Sequence, residues 1–268
     1  MTSNTLKHKT SENALSVSVF IITLDEEDRI QKAIESVISW VDEVIVIDSG
    51  SKDKTVQTAQ ECGAKVFFNS WQGYGQQKRF GEEQCKNNWI LNIDADERVS
   101  PEAKKEILSI LADGPDYDGY TIKFKDIMPF ESSPKRGAWE TTHTRLYNKS
   151  QGRFRNHSSL DSVVMNKERV SAIKSVCYHQ SIRSLTHLVQ KANYYTGLQA
   201  EHMNNKGRII GASRLLTEFP IAFIKAYIFR RYFIHGLYGF AFSVIYAFSK
   251  FLRFAKRYEQ QLIDKAQN

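Results

Sequence analysis

The chain has 268 residues, of which 41 % are hydrophobic, 25 % charged and 12 % aromatic. That is the composition of a folded globular protein, and it excludes a disordered, collagen-like or disulfide-scaffold chain. The formal net charge of +7 is unevenly spread: residues 1–204 carry 26 basic and 27 acidic side chains, and residues 205–268 carry 11 basic and 3 acidic ones. A near-neutral body with a basic end directs attention to nucleic acid or an anionic membrane surface.

Residues 1–15 are polar and read as a loose leader. Lys7 and Lys9 before the apolar stretch Ala14–Leu24 mimic a signal peptide. The stretch runs into Asp25-Glu26-Glu27-Asp28 without a small-residue cleavage site, so a first buried strand, Val17–Ile22, is the better reading. Apolar residues at Ile30, Ile34, Val37 and Ile38 predict a helix over Glu26–Trp40. Strands follow at Val44–Ile47, Lys65–Phe68 and Trp89–Ile93, separated by helices at Lys54–Cys62 and Gly75–Lys86. Ser100 and Pro101 open a helix to Leu111. Alternating strands and helices predict an open, mostly parallel α/β sheet, whose ligands bind at the carboxyl ends of the strands. Those ends carry Thr23–Glu26, Asp48-Ser49-Gly50-Ser51 and Asp94-Ala95-Asp96.

Beyond Gly119 the pattern changes. Strands are expected at Tyr120–Phe124, Thr144–Tyr147 and Ser171–Tyr178. A helix starts near Ser184, with Leu185, Leu188, Ala192 and Tyr195 on one face. Cys62, Cys85 and Cys177 are odd in number and form no CxxC pair, which fits a reducing cytosol better than a disulfide framework or a structural zinc site.

Asp94-x-Asp96 directly after a buried strand is the sharpest chemical feature. Two carboxylates at that spacing can reach one point in a crevice. Hard divalent cations prefer oxygen ligands and often combine one or two carboxylates with substrate phosphates. Asp48 ends another strand, where a carboxylate can accept the N3–H of a uracil. In Gly73-Tyr74-Gly75-Gln76-Gln77-Lys78-Arg79, glycines let backbone approach a ligand and Lys78 or Arg79 can meet a diphosphate.

Taken together, TLDEE, DSGSKDKT, WQGYGQQK and DADERVSPE, in that order over residues 16–112, resemble the family-2 glycosyltransferases with the GT-A fold. The likeness is greatest to the branch that adds a sugar, typically glucose, to the heptose inner core of bacterial lipopolysaccharide. It continues more weakly through Tyr178-His179, Lys191–Tyr195 and Lys206-Gly207-Arg208. The resemblance implies a GT-A, Rossmann-like, mostly parallel sheet with helices on both faces, occupying 16–204. It implies a UDP-sugar donor, Mg²⁺ or Mn²⁺, and a lipid-linked saccharide acceptor. Glu26 and Asp94 become donor contacts, Asp48 a nucleotide-base contact, Lys78 a diphosphate contact and Asp96 the metal ligand. Where the family usually has Asn-Glu-Glu, this chain has Asp25-Glu26-Glu27.

An inverting transfer needs a base for the acceptor hydroxyl. Arg145-Leu146-Tyr147 matches the stretch that precedes it in the family, and Leu160-Asp161-Ser162 falls where a Val-His-Glu segment is expected. Asp161 is the first candidate base, His157 the second and Glu97 a further one. The family's Trp-Tyr-Pro-Asp element is replaced by Trp139-Glu140-Thr141-Thr142. His143, His179, His187 and His202 show no ligand spacing and receive no role.

Residues 205–268 read as a helical, membrane-associating extension. Between Arg231 and Lys250 lie 18 residues without Lys, Arg, Asp or Glu, at the lower limit for a span. Phe233, Leu237, Phe240, Val244, Phe248 and Phe251 repeat at helical spacing. Flanking cations make this an amphipathic helix for the interface of an anionic bilayer, on the inner face of the cytoplasmic membrane. No nucleic-acid module is recognisable, so nucleic acid is not an expected partner. The rivals are a sugar nucleotidyltransferase, disfavoured because Leu24-Asp25-Glu26-Glu27 has no glycine, a transferase for another envelope glycan, and a degenerate transferase that binds without turnover.

Overall fold

The computed structural model describes residues 16–158 and 161–267. The leader expected at 1–15 and Leu160 of the expected base segment lie outside the described residues. The chain forms two compact units, Met1–Phe124 with Thr141–His179, and Lys125–Glu140 with Gln180–Asn268. The boundary expected at 204–205 falls in the last turn of a helix of the second unit.

In the first unit, β1 (Val17–Thr23), β2 (Glu43–Asp48), β3 (Lys65–Phe68) and β4 (Trp89–Asn92) lie parallel in the order β3-β2-β1-β4. The sheet continues through β7 (Glu140–Asn148), β6 (Gly119–Asp126), β10 (Val170–His179) and the short β5 (Glu97–Arg98), with β7 antiparallel to β4 and β5 antiparallel to β10. A separate two-stranded ribbon joins β8 (Arg153–Phe154) and β9 (Val163–Val164). In β1, alternate residues serve two cores, as the two-residue period of a strand requires. Val17, Val19 and Ile21 join the larger core, and Phe20 and Ile22 join the smaller one.

Helices α1 (Ile30–Glu35), α2 (Thr55–Glu61) and α4 (Pro101–Asp113) supply residues to the larger core. Ser100 caps α4 by accepting the Ala103 N–H at 3.1 Å. On the other face, α3 (Tyr74–Gln84) approaches so closely that a Cβ on Gly81 would meet the Phe20 ring at 2.6 Å.

The helix expected over Glu26–Trp40 has its regular part at Ile30–Glu35 and turns on either side of it: the Ile30 N–H donates to the Glu26 carbonyl and the Ile38 N–H to the Ile34 carbonyl, each at 2.9 Å. Backbone N–H groups of Glu26 and Glu27 donate to Thr55 and Asp53. At the far end the Ser36 hydroxyl donates to the Ala33 carbonyl and accepts the Val99 N–H.

In the second unit, α5 (Leu185–Asn205) and α6 (Ala212–Ile224) both pack on the long α7 (Gly236–Gln267). A π-helical turn, Lys225–Phe229, and a 3₁₀ turn, Tyr232–His235, join α6 to α7. Arg231 (φ 60°) and Gly236 (φ 61°) take left-handed backbone at that corner. Thr196, Ala200 and Met203 are the buried residues of α5, and the expected Leu185, Leu188 and Ala192 continue the same face half-buried, Leu188 packing beside Met128, Ile182 and Phe242. Of the expected face Tyr195 departs, standing exposed.

Candidate active site

The site is built on the carboxyl ends of β1, β2 and β4. The first two loops are tied together by hydrogen bonds from backbone N–H groups to side-chain oxygens. Asp25 N–H donates to Ser51 Oγ at 2.9 Å, and Asp25 Oδ1 accepts the Lys52 N–H at 2.8 Å. Glu27 Oε2 accepts the Lys54 N–H at 2.9 Å. Asp25 sits at φ 54°, a left-handed conformation that Asn and Asp tolerate better than other side chains. Aspartate can therefore stand where the family has asparagine: the position needs a side-chain acceptor and positive φ.

Asp48 is 4 % exposed, and both its oxygens are engaged in the turn that follows. They accept the N–H groups of Gly50 (2.8 Å) and Ser51 (3.0 Å) and the Ser51 hydroxyl (2.5 Å). Buried Gln77 braces the same turn: its amide donates to Ser49 Oγ and to the Asn69 carbonyl and accepts from the Asn69 side chain.

Asp94 lies between two cations. Arg145 Nη2 is 2.7 Å from its Oδ2 and Lys78 Nζ 2.9 Å from its Oδ1. Burial pushes this carboxyl up, but Arg145 and Lys78 outweigh that and hold it well below the usual carboxylate range. Lys78 is fully buried, and its Nζ also reaches Asp161 Oδ2 at 3.1 Å. Asp161 is half-exposed, so Lys78 links Asp94 to a carboxylate open to solvent.

Glu97 is 3 % exposed, with Arg145 on Oε1 at 2.8 Å and the Asp94 N–H on Oε2 at 2.8 Å. That placement removes it from an acceptor's reach and makes it a support for Arg145 and Asp94. Burial, together with the nearby Asp94 charge, raises it to about 7.

Asp96 faces away from this cluster. Its Oδ2 is 3.5 Å from His179 Nε2 at the end of β10 and 3.4 Å from Arg29 Nη1. Burial raises its pKa, but His179 and then Arg29 more than compensate, so the group is lowered and ionised. Arg29 is itself forked onto Glu26, with Nε–Oε2 and Nη2–Oε1 both at 2.7 Å. Glu26 thus acts on Asp96 through Arg29.

Among the described residues, no group of three or more His, Cys, Asp or Glu is gathered as for a metal ion. Asp96 with His179 nevertheless fits a nucleotide-bound Mg²⁺ or Mn²⁺. Such an ion takes few protein donors, and an ionised carboxylate oxygen facing an imidazole nitrogen supplies two beside the diphosphate's own oxygens.

The glycine loop before α3 does something the spacing did not predict. The first N–H groups of the helix, at Tyr74 and Gly75, donate to the Ser158 and His157 carbonyls at 3.0 Å each. Gly73 has φ 137°, and a Cβ there would lie 2.3 Å from Ser158 Cα. Gly73 thus admits the chain's own 157–158 segment. His157 is exposed, and its backbone carbonyl carries this contact.

Four site residues escaped the sequence reading. His179 and Arg29 meet Asp96, and Arg145 spans Asn92, Asp94 and Glu97. His143 is the fourth. Burial and then Arg145 lower its pKa, leaving it a neutral imidazole close enough to feel Asp161, Lys78 and Asp94. Two signals pointed this way: Tyr178-His179 belonged to the weak part of the resemblance, and Arg145-Leu146-Tyr147 matched the family stretch without Arg145 being given a role.

Residues 18–168 match the model of glycosyl transferase family 2, and the chain belongs to that family. An uncharacterized glycosyltransferase of Rickettsia bellii is 44 % identical over 256 residues, covering 92 % of this chain and 87 % of the relative. The lipopolysaccharide core biosynthesis glycosyltransferase LpsC of Rhizobium meliloti is 28 % identical over 260 residues, 95 % of this chain and 96 % of that one. Glucosyl-3-phosphoglycerate synthase of Petrotoga mobilis is 34 % identical over 128 residues, 42 % of this chain and 39 % of that one. The eight-stranded sheet, parallel through its first four strands, has the GT-A architecture expected from the resemblance.

Proposed function

We propose that the protein is an inverting, metal-dependent hexosyltransferase. It moves a sugar, glucose in the first instance, from UDP to a lipid-linked saccharide of the lipopolysaccharide inner core, at the inner face of the cytoplasmic membrane. The observation that carries the reading is the arrangement of two acids with separate duties at one strand end. Asp94 is locked between Lys78 and Arg145, while Asp96 faces His179. The full-length relative named for lipopolysaccharide core biosynthesis supports the acceptor class.

In this reading the uracil is received at the Ser49–Ser51 turn that Asp48 holds shut. Asp96 and His179 hold the divalent cation, which supplies charge neutralisation for the leaving diphosphate. Glu26 keeps Arg29 oriented on Asp96, and Asp94 orients the donor sugar. Lys78 exchanges Asp161 for a diphosphate oxygen when the donor binds. Asp161, half-exposed and released, takes the proton of the acceptor hydroxyl as that oxygen attacks the anomeric carbon and the bond to UDP breaks. His157, exposed on the same segment, is the second candidate for that proton.

The test is UDP release from UDP-glucose, UDP-galactose and UDP-N-acetylglucosamine, with and without glycolipid extracted from bacterial envelopes. Saturable, acceptor-dependent release with one donor is expected. Asp161→Asn should lower kcat at least about a hundredfold, the typical worth of a general base. Release indifferent to acceptor, or unchanged in Asp96→Ala, would refute the reading.

A further inference from the structure

The α6–α7 corner of the second unit is built inside out for a water-soluble helix pair. The face of α7 that packs inward carries Gly239, Phe242, Ser243, Ala247, Phe254, Arg257 and Gln261. Small and polar residues dominate its first half. A Cβ on Gly239 would stand 1.8 Å from the Tyr232 carbonyl oxygen, and Ser243 satisfies its own hydroxyl on the Gly239 carbonyl at 2.7 Å. Beside the buried Phe242 and Phe254, many large apolar residues of the corner are turned outward. Leu237 is 89 % exposed, Phe229 73 % and Ile221 60 %, with Ile224, Ile228, Phe233 and Phe240 also exposed. They are held together from beneath by Phe223 and Tyr227, whose rings lie 5.6 and 5.8 Å from that of Phe240. A contiguous exposed apolar patch rimmed by polar groups marks an interaction surface.

The charge around the patch selects the partner. From Glu218 to Glu259 the intervening chain has no Asp or Glu, and it carries Lys225, Arg230, Arg231, Lys250, Arg253, Lys256 and Arg257. Exposed aromatic and branched apolar side chains, with Lys225, Arg230 and Arg231 in the same stretch of chain and no acid within it, fit an anionic bilayer surface.

Tyr232–Gln267 is, by length and composition, apolar enough to cross a membrane. Its bonds argue against crossing. Tyr232 Oη donates to Asp126 Oδ2 at 2.6 Å, and His235 Nδ1 pairs with Glu131 at 2.9 Å, both in buried settings. Further along, Arg253 pairs with Glu218, Lys256 donates to Asn193, and Arg257 donates to the Arg208 carbonyl. A spanning α7 would break these bonds or drag carboxylates into hydrocarbon, where polar groups without partners are costly.

We propose that the α6–α7 corner is a monotopic insertion tip whose exposed apolar side chains, from Ile221 to Phe240, enter one leaflet of an anionic bilayer, while the buried Tyr232–Asp126 and His235–Glu131 pairs stay within the protein and the distal half of α7 stays in water. The proposal deepens the lipid-linked acceptor reading and takes its purpose from it, but insertion is measured without any acceptor. The full chain is floated with vesicles containing phosphatidylglycerol and with vesicles of phosphatidylcholine alone. Flotation is expected with the first and at least about tenfold weaker with the second, since each nearby cation contributes attraction to anionic lipid. The Phe229→Ser/Leu237→Ser double variant should lose at least about tenfold in vesicle affinity. It should keep the wild-type circular dichroism and wild-type turnover of detergent-dispersed acceptor.

An indole introduced by Phe229→Trp should be quenched by brominated acyl chains, and one introduced by Leu262→Trp should not. A protease site appended after Asn268 should stay cleavable outside sealed vesicles. Failure of the wild type to float, wild-type flotation by the double variant, equal quenching at both positions, or protection of the appended site would each overturn the tip. A wild type that floats and inserts as described but turns over no lipid acceptor supports the tip and counts against the proposed function alone.

Discussion

Asp94 and Asp96 are two residues apart and have different partners. Asp94, half-buried, lies between buried Lys78 and Arg145. Asp94→Asn would leave two buried cations sharing a neutral amide, and breaking a buried pair of this kind costs about 3 kcal/mol. The expected result is a clear fall in thermal midpoint together with loss of turnover. Glu97 supports Arg145 from the other side and gives the stability a pH signature. Its folded pKa, near 7, lies above the ordinary glutamate value of about 4.3. Between those two values the folded chain keeps a proton that the unfolded chain has released. This contribution is complete below about pH 4.3 and is lost as pH rises through 7. Asp94 and Asp96, both lowered, run the other way: their contribution is present above about pH 4 and is lost on acidification below it. Thermal melts from pH 5 to 8 should therefore decline with rising pH, and Glu97→Gln should flatten the slope.

At the scale of elements, α3 connects the donor loops to the segment bearing the candidate base. Gln77 braces the turn after β2, Lys78 joins Asp94 to Asp161, and Gly73 with the first α3 amides holds Ser158 and His157. Gly73→Ala would force the 157–158 backbone away. We expect turnover to fall at least tenfold and cleavage within 155–162 by a dilute protease to accelerate, with a smaller change in thermal midpoint. An equal loss of structure throughout would count against this coupling. On α7, Gly239→Ala puts a methyl into the Tyr232 carbonyl, and overpacking of this kind costs roughly 1–3 kcal/mol. Thermal melting of the purified variant checks that cost.

At the scale of the whole molecule, the proposed function assigns the two charge regions to different tasks. The surplus of cations after residue 204 lies away from the acidic strand-end loops in sequence. Binding to anionic vesicles should weaken several-fold between about 0.1 and 0.5 M salt, because screening shortens the reach of each cation. The apolar tip should retain a residual affinity that salt does not remove. Cosedimentation at graded salt measures both parts.

The strands β1 to β4 and the acidic loops that follow them were legible from residues alone, because each is a short local pattern. A β-branched run makes a buried strand, and a polar acid-bearing loop after it lies at the sheet's edge. The family also showed in those loops, whose motifs are contiguous. Three things needed the tertiary structure. Asp96 meets His179 across strands far apart in the chain. Gly73 answers to the 157–158 backbone. Helix α7 buries Gly239, Phe242, Ser243 and Ala247 and leaves Leu237, Phe240 and Phe248 exposed. In the first two cases the partner is distant in sequence. Periodicity gives the spacing of a face but not its direction, since a lipid-facing helix and a core-facing helix share the same pattern of apolar residues. Only the neighbours that the fold brings against Gly239 and Ser243 decide which side is inside.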